Sequence, residues 1–170
     1  MGTKVEIIEK EIGHVVEIEE NVKMMKMPKV MGINFNRIMD YINKNGAECT
    51  GAPYARYLDI DWDVQMEKSG FANFIEVFTK NWHFMTGAAT SQALPAEKEI
   101  TPRVFEKKKY VTAIHKGPYQ KVGKTYKNIY KFVKEKGLEM ENNSIEIYTN
   151  DPGECKKEDI ETIVLIPLKE

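Results

Sequence analysis

The feature that most restricts the fold of this chain is an internal repeat. The segment RIMDYINKNG at 37–46 matches the segment NIYKFVKEKG at 128–137, at an offset of 91 residues. Ile38 aligns with Ile129, other apolar positions recur at helical spacing, and each segment ends in a glycine, a common residue after a helix. Such a pattern is typical of a duplicated module.

The same offset, carried forward without a gap, aligns the strands that follow the two helices. It pairs Ala55 with Glu146 and Tyr57 with Tyr148. In the strand SIEIYT side chains alternate between faces, so Glu146 and Tyr148 lie on one face, about 7 Å apart. Glu146 is therefore either a solvated surface acid or a carboxylate directed into a pocket beside an aromatic ring.

Each half of the chain reads as strand, helix, strand, strand. In the second half these elements are predicted at 110–115, in a helix that ends at Gly137, at 144–149 and at 160–168. In the first half they are predicted at 14–19, 32–45, 53–62 and 81–90.

Two such units cannot each bury a sheet face alone, so we expect them to join. The predicted fold is α+β, with one antiparallel sheet, helices on one face and a ligand cleft on the other. We expect a single domain over 1–170, with repeat one at about 4–92 and repeat two at about 93–170.

An insertion at about 63–80 interrupts the first repeat. Its apolar residues at helical spacing predict a short extra helix, and a serine precedes them as a candidate N-cap. These residues are Phe71, Phe74, Ile75 and Phe78, with Ser69 as the cap.

Composition excludes several classes of protein. Of 170 residues, 42% are hydrophobic and 30% charged, as in globular proteins, and the net charge is −1. No apolar run is long enough to span a bilayer, and the N-terminus has no secretory apolar region, so a cytoplasmic protein is expected. The two cysteines are expected to be reduced, and the three histidines have no metal-ligand spacing. We expect neither a metal nor a cofactor.

Basic residues concentrate in the second half of the chain. Five lysines recur at helical spacing opposite an apolar stripe: Lys121, Lys124, Lys127, Lys131 and Lys134. We interpret them as the solvated face of one amphipathic helix rather than as a nucleic-acid surface. No direct DNA binding is expected.

Four short segments resemble, in order and spacing, the GyrI-like small-molecule-binding family. They are LPAEKEI at 94–100, IHKGPY at 114–119, EIYTNDP at 146–152 and ETIVLIPL at 161–168. This family includes the effector-binding domains of AraC-type and MerR-type multidrug transcription regulators. The resemblance implies a pseudo-twofold pair of modules, with an aromatic-lined ligand pocket between them and an acid at its base. The sequence contains no helix-turn-helix segment, so a regulatory role implies a separate partner.

The acid that the resemblance implies is Glu146. Strand alternation adds Tyr148, and repeat symmetry adds Tyr57 and the small residue Ala55. The other predicted ligand-binding residues are Trp82, Phe84, Trp62 and Tyr119. A carboxylate among rings suits lipophilic, aromatic cations, because each cation–π contact contributes roughly 0.5–2 kcal/mol.

Two other hypotheses stay open at this point. In the first, the protein is a hydrolase that opens strained cyclopropane-type electrophiles, as the resemblance also implies. Glu146 would then position or deprotonate a water, and Tyr148 or Tyr57 would donate a hydrogen bond to the developing oxyanion. In the second, the protein is an interaction module without a small ligand, and its own side chains fill the cavity.

Overall fold

The computed structural model describes residues 3–68, 76 and 79–170. Eight strands form one sheet that is antiparallel throughout, in the order β1-β6-β8-β7-β3-β4-β2-β5. The strands are β1 Val5–Lys10, β2 Gly13–Lys23, β3 Tyr54–Tyr57, β4 Asn81–Ala89, β5 Ile100–Phe105, β6 Lys108–Lys116, β7 Ser144–Tyr148 and β8 Glu161–Pro167. Within the described ranges lie the helices α1 Met27–Lys44, α2 Trp62–Glu67 and α3 Gly123–Glu135. None of them is long and apolar enough to cross a bilayer.

The strand order is symmetric about the centre of the sheet. If each of the strands β1–β4 is swapped with its counterpart among β5–β8 (β1 with β5, and so on), the order read from one edge of the sheet becomes the order read from the other edge. The two central strands, β3 and β7, pair with Ala55 opposite Glu146. These two residues are also related by the repeat offset, so the pseudo-twofold axis passes through their pair.

The helices pack on one face of the sheet. Ile38 and Ile42 of α1 and Ile129 and Val133 of α3 are at most 2% exposed. They pack in two separate clusters, the first with residues of β2 and β4 and the second with residues of β6 and β8. A third cluster, which includes Tyr54, lies on the face that α1 and α3 leave uncovered. The prediction of an α+β fold with an antiparallel sheet and helices on one face is confirmed.

Each half contains the predicted strand, helix, strand and strand, and an additional strand precedes them. β1 pairs with β6 of the second half, and β5 pairs with β2 of the first half, so the halves exchange their first strands. Both are edge strands, where pairing on one side only permits charged residues and proline. Pro102 within β5 hid that strand from the sequence pattern.

Other boundaries also differ from the sequence prediction. α1 begins at Met27, five residues before the predicted start, and has a proline in its first turn. Trp62 begins α2 instead of ending a strand, because Asp61 caps the helix by accepting a hydrogen bond from the Val64 amide at 3.1 Å. The residues that predicted a helix in the insertion, Ser69, Phe71, Phe74, Ile75 and Phe78, lie outside the described residues.

Candidate functional site

The candidate site is built on β7, whose side chains alternate between the two faces of the sheet. Ser144, Glu146 and Tyr148 lie on the face that carries the helices, and Ile145 lies in the cluster on the other face. Glu146 is only 7% exposed, and its Oε1 accepts a hydrogen bond from the Tyr126 hydroxyl of α3 at 2.8 Å. The carboxylate is therefore not a solvated surface acid.

The same contact corrects the predicted position of the cleft. We expected the cleft on the sheet face opposite the helices. Because Glu146 contacts a residue of α3, the predicted site residues lie on the helix face, between α1 and α3. The sequence established that Glu146 and Tyr148 lie on one face, but it did not establish on which side of the sheet the helices pack.

A chain of hydroxyl groups surrounds the carboxylate. The Tyr148 hydroxyl donates to Glu146 Oε2 at 3.2 Å, and the Tyr57 hydroxyl lies 3.3 Å from that of Tyr148. The Ser144 hydroxyl lies 2.7 Å from that of Tyr126. Because Tyr126 and Tyr148 each direct their one proton to Glu146, Ser144 and Tyr57 are the donors to these tyrosines.

Burial dominates the electrostatics of the site. It raises the pKa of Glu146, and the hydrogen bonds from Tyr126 and Tyr148 oppose this effect only in part. Burial and the nearby carboxylate of Glu146 also raise the pKa values of Tyr57 and Tyr126 well above their ordinary range. Among the described residues, no lysine, arginine or histidine forms an ion pair with Glu146.

Aromatic rings flank the carboxylate on both sides. The Tyr148 ring packs edge-on against Phe35, at a centroid distance of 6.3 Å, and against Tyr119, at 5.5 Å. On the other side, the Tyr57 ring lies 6.3 Å from Trp82 and 6.1 Å from Phe84. Except for Phe84, which is fully buried, these rings are half-buried. We call the region around Glu146, which Phe35 of α1 and Tyr126 of α3 border, the groove between α1 and α3.

The two tryptophans differ in how their indole N–H groups are satisfied. Trp62 is 8% exposed, stacks on Tyr126 at 5.9 Å and donates to the Glu141 carbonyl oxygen at 2.8 Å. Trp82 Nε1 is buried without an acceptor among the described residues, and Lys80 Nζ lies 4.5 Å from the Trp82 ring centroid. The face of Trp82 therefore already contacts a cation.

The structure brings the predicted site residues together. Glu146, Tyr148, Tyr57, Trp82, Phe84, Tyr119 and Trp62 are linked by hydrogen bonds or ring contacts, through Tyr126 in the case of Trp62. Ala55 is fully buried opposite Glu146. That these residues bind a ligand, or that Glu146 and Tyr148 catalyse hydrolysis, stays a prediction.

Three residues of the site were missed in the sequence analysis: Phe35, Tyr126 and Ser144. The repeat offset relates Phe35 to Tyr126, and it aligns an aromatic residue on each helix at the same position. This alignment was the signal in the sequence that could have identified Phe35 and Tyr126 as site residues.

A second buried carboxylate provides a contrast. Glu17 is fully buried on the opposite face of the sheet, where it accepts hydrogen bonds from the Tyr54 hydroxyl at 3.0 Å and from Arg56 at 2.6 and 2.9 Å. Arg103 Nε lies 2.9 Å from Glu17 Oε2. Two guanidinium groups thus compensate the charge of Glu17, whereas Glu146 has only tyrosine hydroxyls.

An outer cleft of about 680 Å³ lies beside this cluster, and we define it by Arg56, Phe105, Lys108, Tyr110, Ile145 and Pro167. Its cations already have partners, because Arg56 pairs with Glu17 and Lys108 pairs with Glu141 at 2.5 Å. The groove with Glu146 is therefore the better candidate for recognition of a charged ligand.

An open sheet with two helices flanking an aromatic groove defines a two-module α+β binding domain. The profile of the GyrI-like small molecule binding domain matches residues 4–169. The chain therefore belongs to the GyrI-like small-molecule-binding family, as the sequence resemblance indicated. No protein with a curated function matches the sequence.

Solved structures share the fold at low sequence identity. The C-terminal domain of EcmrR is 20% identical, with a TM-score of 0.72, over 100% of this chain and 99% of that domain. In the EcmrR–DNA complex the match covers 98% of this chain and 58% of the EcmrR chain, again at 20% identity and a TM-score of 0.72. This chain thus spans little more than half of that EcmrR chain.

Two further structures are more distant. A hydrolase from Listeria innocua is 13% identical, over 98% of this chain and 92% of its own, with a TM-score of 0.62. SAV2435 bound to tetraphenylphosphonium is 11% identical, over 99% of this chain and 94% of its own, with a TM-score of 0.55. At these identities the likeness concerns the fold alone.

Proposed function

We propose that this protein binds lipophilic organic cations in the groove between α1 and α3, with Glu146 as the counter-charge. The observation that carries this proposal is the state of Glu146. It is a buried carboxyl group with a raised pKa, flanked by half-buried rings, and none of the described residues pairs it with a cation.

A ligand cation would supply the counter-charge that none of the described residues provides for Glu146. Two unit charges about 4 Å apart attract each other by roughly 4 kcal/mol near a protein surface. Each contact of the cation with a ring face adds roughly 0.5–2 kcal/mol. An uncharged aromatic compound gains neither term, and an anion is repelled by Glu146.

The fold match to SAV2435, whose structure contains tetraphenylphosphonium, supports the choice of this compound as a probe. Tetraphenylborate is its matched control, because it has nearly the same size and shape and the opposite charge. Isothermal titration calorimetry should show binding of the phosphonium and much weaker binding of the borate. Equal affinities would show that charge does not govern binding, and the proposal would be wrong.

Two variants test whether the charge of Glu146 causes the preference for the phosphonium over the borate. Glu146→Gln should remove most of the preference for the phosphonium while it leaves the groove intact. Glu48→Gln changes the net charge by the same amount at an exposed residue and should leave the preference unchanged. An unchanged preference in Glu146→Gln would exclude Glu146 as the counter-charge.

We also propose that this domain acts through a separate partner protein rather than by contacting DNA. The related domain of EcmrR belongs to a chain whose DNA complex has been solved. The lysines of α3 are exposed, and two of them already pair with acids: Lys131 with Glu135 at 3.8 Å and Lys134 with Asp63 at 2.9 Å. Fluorescence anisotropy with labelled duplex DNA should therefore show no salt-dependent binding at micromolar protein, and clear binding would contradict this proposal.

A further inference from the structure

The outer cleft contains a buried tyrosine whose hydroxyl group has no partner. Tyr110 and Tyr54 belong to the same cluster on the face that α1 and α3 leave uncovered, and they are 2% and 3% exposed. The Tyr54 hydroxyl donates to Glu17 at 3.0 Å. The Tyr110 hydroxyl forms no hydrogen bond with any described residue, and Tyr110 borders the outer cleft. Because most buried polar groups have a hydrogen-bond partner, this hydroxyl marks a position for an atom from outside the chain.

The charged neighbours of Tyr110 show that its hydroxyl group lies in the cleft. Burial and the carboxylate of Glu141 raise the pKa of Tyr110, and the guanidinium group of Arg56 acts in the opposite direction. Glu141 and Arg56 both border the cleft. The hydroxyl is therefore close to both of these groups and available to a ligand beside them.

Arg56 provides a second donor and an excess of positive charge. Glu17 accepts hydrogen bonds from Nε and Nη2 of Arg56, and no other described residue uses the remaining N–H groups of this guanidinium. Glu17 also pairs with Arg103 at 2.9 Å, so one carboxylate serves two guanidinium groups. Neither arginine pairs with a second acid in the described part of the chain. One unit of positive charge is therefore not neutralised.

The other charged groups of the cleft do not cancel this excess. Glu141 is already paired with Lys108 at 2.5 Å. The remaining charged residues that border the cleft are exposed, so water screens them, and they comprise as many cations as anions: Lys107, Lys169, Glu106 and Glu170. The buried part of the cleft, beside Arg56 and Tyr110, therefore favours an anion.

We propose that the outer cleft is a ligand site for small aromatic carboxylates. The carboxylate accepts hydrogen bonds from the Tyr110 hydroxyl and from Arg56, and the ring packs against the apolar residues of the cleft, Phe105, Ile145 and Pro167. A flat ring suits this place because the Arg56 guanidinium carbon already lies 5.3 Å from the centroid of the Phe105 ring, a position in which flat groups stack. A volume of about 680 Å³ is ordinary for a small-molecule site.

This inference is independent of the proposed function. The cleft lies on the face of the sheet opposite Glu146, and its ligand carries the opposite charge. The two ligands therefore do not compete for the same groups.

The first experiment compares benzoate and benzamide on the unaltered protein by NMR titration of the backbone amides. The two compounds have nearly the same size and shape, and only benzoate is charged. Benzoate should shift amides of β5 and β6 around the cleft, and it should bind roughly ten-fold or more tightly than benzamide, because hydrogen bonds to a charged group are the stronger ones.

The second experiment repeats the benzoate titration on Tyr110→Phe. This variant removes only the hydroxyl group, which has no partner in the protein, so the free energy of unfolding should change little. The affinity for benzoate should fall roughly ten-fold or more. Tyr130→Phe is the matched control, because it removes a tyrosine hydroxyl from α3, on the other face of the sheet, and should leave benzoate binding unchanged. Circular dichroism shows whether each variant is folded, and the first experiment does not depend on a variant.

Four results would overturn the inference. They are no amide shifts at the cleft with millimolar benzoate, equal affinities of benzoate and benzamide, an unchanged affinity in Tyr110→Phe, and shifts confined to the groove around Glu146. None of them alters the comparison of tetraphenylphosphonium with tetraphenylborate, so failure of this inference is distinguishable from failure of the proposed function.

Discussion

Glu146→Gln should change how stability depends on pH, because a carboxyl group held in a buried site costs folding free energy when it is ionised. Its burial, at 7% exposure, raises its pKa in the folded protein above the ordinary value of 4.5. Between these two pKa values the folded protein holds a proton that the unfolded chain has lost. The free energy of unfolding therefore falls as pH rises through this window.

The magnitude follows from the linkage between proton binding and folding. One titrating group changes the free energy of unfolding by at most about 1.4 kcal/mol per pH unit, and this slope applies only inside the window. Glutamine does not titrate, so the variant lacks this contribution. Its amide oxygen and N–H group still match the Tyr126 and Tyr148 hydroxyls, because the Tyr148 oxygen accepts a hydrogen bond as well as it donates one.

Urea unfolding from about pH 4 to about pH 8 measures this effect. The variant should gain stability relative to the unaltered protein as pH rises above 4.5, and the difference should reach a plateau above the raised pKa of Glu146. Glu48→Gln, at an exposed position, should give a curve parallel to that of the unaltered protein. If the Glu146→Gln curve is also parallel, the carboxyl group is not desolvated in the folded state, and our reasoning is refuted.

Two further predictions concern the other face of the sheet. Gly87→Ala should lower the free energy of unfolding by about 1–3 kcal/mol in urea, because the new Cβ would lie 2.5 Å from the Tyr54 ring; an unchanged stability would contradict this packing. The ring nitrogens of His83 lie 2.6 Å from carboxylate oxygens of Asp59 and Glu19, and hydrogen bonds to these carboxylates raise the pKa of His83. The stability that protonated His83 adds should therefore be present below pH 6.5 and lost as pH rises through the raised pKa. An NMR titration that gives an ordinary pKa for the His83 imidazole would contradict this second prediction.

The centre of the fold was predictable because the repeat and strand alternation are both local signals. The offset that aligned Ala55 with Glu146 relates the two residues that pair on the axis. Strand alternation placed Glu146 and Tyr148 on one face, and their hydrogen bond at 3.2 Å confirms it. Gly137 ends the second helix at a φ of 65°, as a glycine in that position predicts.

Other features depend on contacts between distant segments, which a local pattern does not record. β1 pairs with β6 and β5 pairs with β2, although each could pair with a similar strand edge of its own half, and the local sequence does not determine which edge is used. The side of the sheet on which the helices pack decided the position of the cleft. In the sequence, Glu17 is one of the polar residues of an alternating strand, and its burial is explained by Arg56 and Arg103, which come from other strands.

The structure of the protein with a bound organic cation tests the central claim most directly. We expect the ligand in the groove between α1 and α3, with its charged atom within about 4–6 Å of the Glu146 carboxylate, the distance at which an opposite charge favours the ionised acid. A ligand in the outer cleft beside Arg56, or one that directs its charged atom away from Glu146, would contradict the account.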